Sequence, residues 1–177
     1  MQLSRRNYKI KACLLKPISS NSYLCRKFDL YPMARQLSEQ EKIRREALQA
    51  LKNMGVEAYP AAEVEVNAYS QELKENYEEG KRVKLAGRLM NRRIMGKASF
   101  AQLRDSKGEI QIYITRDDLC PGEDKSAYND VFKKLMDYGD FVAIEGYLFK
   151  TQVGETTVHV EKLKLISKAI KRMATSP

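Results

Sequence analysis

A phenyl ring at Phe100, a phenol at Tyr113 and carboxamides at Gln102 and Gln111 alternate with aliphatic residues in ASFAQLRDSKGEIQIYI, residues 98–114. Period-two alternation puts Ala101, Leu103, Ile110, Ile112 and Ile114 on one face of a β-hairpin. If Asp105, Ser106, Lys107 and Gly108 form the loop, Phe100 faces Tyr113, Gln102 faces Gln111 and Arg104 faces Glu109, all on the wet side. A bare ring among carboxamides offers stacking to a planar partner, worth roughly 1–3 kcal/mol for a nucleobase. The amides and charges beside it can bond the edges of such a base. The plain alternative is a surface aromatic covered by the N-terminal helix or by a second copy of the chain.

Two further groups border this hairpin. Arg92 and Arg93, in NRRIMGK, close the strand before it, and at least one of them is expected to point outward toward a phosphate or a base. Glu155 opens the last strand. An acid there repels phosphate, so its use would be to accept hydrogen bonds from a base edge; alone it reads as an ordinary turn carboxylate.

Other chemistries find little material. The chain holds one histidine, His159, which leaves a His-based metal site or a Ser-His-acid triad hard to build. His159 falls opposite Tyr147 in the strand reading, with no nucleophile–base geometry. Cys13, Cys25 and Cys120 fit no zinc spacing and no disulfide framework, which points to reduced thiols in a cytosol-like compartment. No apolar run approaches the roughly 20 residues of a membrane-spanning helix. The formal charge is +9, but residues 1–36 carry eight Lys or Arg against one acid, Asp29, so all but +2 of it sits there. The rest is nearly neutral, and a nucleic-acid reading has to rest on local surface.

The elements that would position these groups follow from punctuation and period. Residues 1–36 read as a basic, disordered extension; an organelle transit segment, or an upstream start with Met33 as initiator, fits the same composition. Residues 37–81 form an N-terminal helix and connector. Ser38 and Glu41 make a capping box, Ile43, Ala47, Leu51 and Met54 an apolar stripe with Leu48 beside it, and Gly55 the stop. Lys42, Arg44, Arg45 and Lys52 lie on the opposite face, either solvated or touching a phosphate backbone. Ser70 caps a short helix in the connector. Residues 82–170 then read β-β-β-α-β-β, with Tyr128, Val131, Phe132, Leu135 and Met136 on one helical face before Gly139, and Gln152, Val153 and Gly154 joining the last two strands. Residues 171–177 are a tail. This order predicts a mainly β fold with helices: a five-stranded OB-fold Greek-key barrel preceded by an α-helix. An α+β sandwich without closure is the competing arrangement.

The runs LSEQEKIRREALQALKNMGVEAYP, VKLAGRLMNRRIMGKASFAQLRDSKGEIQIYITRDDL and FKKLMDYGDFVAIEGYLFKTQVGETTVHVEKLKLISKAIK closely resemble the N-terminal anticodon-binding domain of bacterial-type class II lysyl-tRNA synthetases. The resemblance covers residues 37–172. It implies that Phe100 stacks on the middle base of a U-rich lysine tRNA anticodon and that Gln111 bonds a base edge. It further implies that Glu155 recognises another anticodon position and that Arg92 and Arg93 support the loop and its backbone. It implies a cytoplasmic setting and a homodimer, as the parent enzymes are dimers, with no membrane partner. ATP and magnesium belong to the catalytic domain that follows in that family, so no cofactor is expected for this chain, nor is aminoacylation by it alone. A free-standing single-stranded nucleic-acid-binding OB protein, or a regulatory fragment, is the alternative.

Overall fold

The computed structural model describes residues 36–61 and 63–171. The readings made for residues 1–35 and 172–177, with Cys13 and Cys25, lie outside the described residues. Five strands, β1 (Arg82–Met95), β2 (Ala98–Arg104), β3 (Glu109–Thr115), β4 (Phe141–Lys150) and β5 (Thr156–Ser167), close into a barrel in the order β1-β2-β3-β5-β4. β4 returns antiparallel to β1, and β3 lies parallel to β5, so the sandwich without closure is excluded. The β2–β3 register is the one expected from the alternation, with Phe100 opposite Tyr113 and Gln102 opposite Gln111. Ala101, Leu103, Ile110, Ile112 and Ile114 are all buried inside, where each large aliphatic side chain contributes roughly 1.5–3 kcal/mol.

Of the three register shifts in the barrel, two bear on the outer face. Met90 in β1 has no counterpart in β2, since Leu89 pairs with Leu103 and Asn91 with Gln102. Glu161 in β5 is likewise extra, because Gly146 pairs with Val160 and Glu145 with Lys162. One added residue reverses the in–out phase of everything beyond it. The β4–β5 loop turns at Gly154, whose φ of 83° favours glycine.

Between β3 and β4 the chain makes a short turn of helix, α3 (Arg116–Leu119), and then α4 (Ala127–Leu135), which plugs one end of the barrel. The sequence suggests an α-helix running toward Gly139, but α4 is wound with i→i+5 bonds and stops at Leu135. The wider turn puts Tyr128, Phe132 and Met136 at intervals of four on its inner side, and all three are fully buried. The Ser99 hydroxyl, itself inside, bonds the Tyr128 hydroxyl at 2.8 Å. Cys120, just after α3, is buried in this core.

The N-terminal helix α1 (Glu39–Asn53) has its capping box: Glu41 N–H donates to Ser38 Oγ and Ser38 N–H to the Glu41 carboxylate. Its buried side matches the expected one only in part, at Ala47 and Leu51. Glu41, Arg44, Ala47 and Leu51 face inward, while Ile43 and Met54 are 52% and 44% exposed. The reason is Arg44, whose guanidinium donates to the carbonyls of Tyr138, Ala169 and Lys171. It is a structural clamp, and a phosphate contact from it is excluded.

The connector helix α2 (Ser70–Glu75) begins at Ser70 rather than being capped by it. The cap comes from Asp105 in the β2–β3 turn, whose carboxylate accepts from Ser70 N–H at 2.6 Å and Ser70 Oγ at 2.8 Å. The same carboxylate accepts from the amides of Lys107 and Gly108. Burial pushes the Asp105 carboxyl up, but these donors outweigh it and hold it below the usual carboxylate range. A folded-state value below the unfolded one stabilises the fold above the unfolded pKa of about 3.9, and that stabilisation fades as pH falls through the folded value. Acid titration of wild type and Asp105→Asn, followed by urea unfolding, is therefore expected to show the variant about 1–3 kcal/mol less stable at neutral pH. The gap is expected to narrow below about pH 4. A gap independent of pH would remove Asp105 from the turn's stability.

Candidate nucleic-acid interface

The barrel's outer face carries two cross-strand rows. Residues directly opposite one another on neighbouring strands point to the same side, and those two positions along form the next row. The first row runs Arg93, Phe100, Tyr113, His159, Tyr147, by the pairings of β1 with β2, β2 with β3, β3 with β5 and β5 with β4. The second runs Asn91, Gln102, Gln111, Thr157, Phe149 by the same pairings. An aromatic row thus lies beside a row of amides and a hydroxyl that ends in a further ring, Phe149.

The Phe100 ring is half-buried, 4.9 Å from the Tyr113 centroid and tilted 46° to it. It points outward, as the alternation requires. Gln111 is oriented from both ends: its Nε2 donates to a Glu155 carboxylate oxygen at 3.2 Å, and its Oε1 accepts from Thr157 Oγ1 at 2.8 Å. Glu155 itself is exposed, one residue before β5, with its amide donating to Thr151 Oγ1. A cleft of about 320 Å³ beside Phe100 is lined by Asn91, Arg93, Gln102, Gln111 and the β4–β5 loop. Its rim therefore offers a flat apolar ring, carboxamide donors and acceptors, a carboxylate and one guanidinium.

The two adjacent arginines part company. Beyond the Met90 bulge, Arg93 falls opposite Phe100 and is exposed beside the cleft, with no ion-pair partner among the described residues. Arg92 falls opposite the buried Ala101 and turns to the plugged end of the barrel. There its guanidinium donates to the Phe132 and Met136 carbonyls, lying 5.5 Å from the Phe132 ring centroid. Without the bulge their roles would be exchanged. Phe100, Gln111, Glu155 and Arg93 are thus brought together, and Arg92 is not.

Further along the aromatic row, His159 is fastened on both sides. Its Nε2 lies 2.8 Å from Asp118 Oδ2 and its Nδ1 3.0 Å from the Tyr147 hydroxyl. A carboxylate only accepts, so Nε2 donates to Asp118, and in the neutral ring Nδ1 is then the acceptor of the phenol's proton. Burial, then the Asp118 and Glu161 charges, pushes the Tyr147 phenol up, which keeps that proton in place at neutral pH. The Thr115 hydroxyl, and then the His159 ring, hold the Asp118 carboxyl below its usual range. These groups satisfy one another and leave no free base or nucleophile. Tyr147 and Phe149 were open to the logic that found Phe100, since both are aromatics at outward positions of EGYLFK. Among the described residues no group of His, Cys, Asp and Glu is arranged to hold a metal ion, and no helix is long and apolar enough to cross a membrane.

Comparison with known proteins bears on the domain as a whole. A family model described as an OB-fold nucleic acid binding domain, for the tRNA anticodon, matches residues 83–166. Lysine–tRNA ligase from Porphyromonas gingivalis is 55% identical over 141 residues, covering 77% of this chain and 24% of that protein. The enzyme of the same name from Christiangramia forsetii is 60% identical over 136 residues, with the same shares. That from Azobacteroides pseudotrichonymphae is 51% identical over 138 residues, covering 76% of this chain and 28% of its own length. The chain thus spans about a quarter of the length of these relatives.

Proposed function

The chain belongs to the OB-fold family of tRNA anticodon-binding domains and is homologous to the N-terminal part of lysine–tRNA ligases, and on that premise we propose that it reads the U-rich anticodon of lysine tRNA. One observation carries the reading: Phe100, Gln111 and Glu155 stand together on the barrel's outer side, the ring in one row and the amide, bonded to the carboxylate, in the next. The middle base of the anticodon stacks on Phe100. Gln111, pre-oriented by Thr157 and Glu155, bonds a base edge, and Glu155 accepts from a second base. Arg93 meets the backbone alone, because Arg92 is committed to the α4 carbonyls. Residues 37–177 carry a net charge of only +2, so discrimination rather than bulk attraction is what this part of the chain supplies. The activity served is the joining of lysine to tRNA named in the relatives.

Fluorescence anisotropy with a UUU anticodon stem-loop tests this. Phe100→Ala is expected to cost roughly 1–3 kcal/mol of binding, the value of a base–aromatic stack. Gln111→Ala is expected to relax discrimination between UUU and CCC loops. Unchanged affinity in both variants would defeat the reading. Equal affinity of the wild type for oligo-U, oligo-C and oligo-dT would instead make it a sequence-tolerant single-strand binder.

A further inference from the structure

Resting on the anticodon reading above, we infer that Met95 is a site of reversible oxidation by peroxides, and that its sulfoxide loosens the hold of the cleft on RNA. Beyond the Met90 bulge, Asn91, Arg93 and Met95 share the outward phase of β1. Met95 pairs with Ala98, and Ala98 with Thr115, so these three form a row on the far side of Phe100 from Gln102 and Gln111. Phe100 is thus flanked by amides on one side and by a thioether on the other. Ala98 is too small to cover Met95, which is 46% exposed and lines the cleft with Arg93, Phe100 and Val153.

Sulfur chemistry singles this residue out. A thioether is oxidised where solvent reaches its sulfur, without the deprotonation that a thiol needs. Among the described residues Cys120 and Met136 are buried, Met90 is half-buried, and Met54 is exposed on α1, outside the cleft. In the step itself a lone pair of the Met95 sulfur attacks one oxygen of hydrogen peroxide. An S–O bond forms, the O–O bond breaks, and the departing oxygen leaves as water with both protons. Sulfur loses two electrons and the peroxide gains them. The product is a sulfoxide, polar, chiral and a hydrogen-bond acceptor. Its oxygen is either covered by a base stacked on Phe100 and left without a donor, or bonded by Arg93, two residues along the same face, which then no longer meets the RNA backbone. Both outcomes weaken binding.

Peptide mass spectrometry after peroxide treatment of the full chain reads the oxygen added at each methionine, and anisotropy reads affinity for the UUU stem-loop. Oxidised wild type is expected to bind about tenfold more weakly, the effect of one acceptor covered without a donor. Methionine sulfoxide reductases with a dithiol reductant are expected to restore the affinity. Met95→Leu, compared with itself before treatment, is expected to keep its affinity, whereas Met54→Leu falls as wild type does. Bound stem-loop is expected to slow oxidation at Met95 but not at Met54. Full oxidation of Met95 with unchanged affinity would overturn the inference. So would an equal fall in Met95→Leu, equal oxidation of Met95 with and without RNA, or a Met95 that resists peroxide while Met54 is consumed. Failure of the anticodon reading shows separately, as untreated Phe100→Ala and Gln111→Ala proteins that bind the stem-loop like wild type.

Discussion

Gly146→Ala is expected to unfold the barrel or to cost at least about 3 kcal/mol, a large part of the 5–15 kcal/mol that keeps a domain folded. A Cβ built on Gly146 would lie 1.9 Å from the His159 carbonyl oxygen, 2.8 Å from its carbon and 3.1 Å from Val160 Cα. All three are backbone atoms, so no rotamer change relieves the clash. The backbones come this close because Gly146 pairs at the edge of the Glu161 bulge, where β5 carries its extra residue. Relief would require β5 to leave β4, which are antiparallel neighbours from Phe141 to Lys150. The damage would also reach recognition, since the carbonyl struck belongs to His159, a member of the aromatic row. Thermal unfolding checks this, with a fall in Tm of about 10 °C or more expected. Gly122→Ala is the control: a Cβ there meets nothing within 4 Å, and its Tm is expected to stay close to wild type. Equal melting of wild type and Gly146→Ala would mean that β4 and β5 are not packed as described.

The hairpin was legible because two independent signals agreed: alternation over residues 98–114, and a short polar loop that ends in glycine. One register satisfied both, and the outward Phe100 followed. Elsewhere only one signal was present. In α1 the cap at Ser38 is local chemistry and could be read directly. The buried face depends on Arg44 finding the carbonyls of Tyr138, Ala169 and Lys171, which come from distant parts of the chain. A helical wheel scores an arginine as solvated and rotates the stripe onto Ile43. The two arginines were separable only through the Met90 bulge, because NRRIM has no hydrophobic alternation to mark the phase change. The proximity of Glu155 to Gln111 follows from the parallel β3–β5 pairing, a long-range contact that no local pattern signals.

Lys168→Ala is expected to cost about 3–5 kcal/mol, the toll of leaving a buried charge without its partner. The Lys168 and Asp140 side chains are both fully buried, with Nζ 2.9 Å from Asp140 Oδ2 and 2.7 Å from Asp137 Oδ2. Asp140 also accepts from the amides of Ala169 and Asp137, which hold its carboxyl group enclosed when the ammonium is removed. Lys168→Met with Asp140→Asn removes both charges and is expected to lose less than the two single changes added together, which urea unfolding of all four proteins would show as a coupling energy. Simple additivity would mean that the pair does not act as a unit. The same knot decides how the chain leaves β5, because Lys168 N–H donates to the Ala58 carbonyl and the Lys168 carbonyl accepts from the Tyr59 hydroxyl. It thereby joins the segment after β5 to the connector behind α1. None of these groups belongs to either row of the outer face. At a temperature well below its own melting point, Lys168→Ala is therefore expected to bind the UUU stem-loop as tightly as wild type. A loss of affinity there would show that the outer rows depend on this buried junction for their shape, and that stability and recognition in this barrel cannot be varied separately.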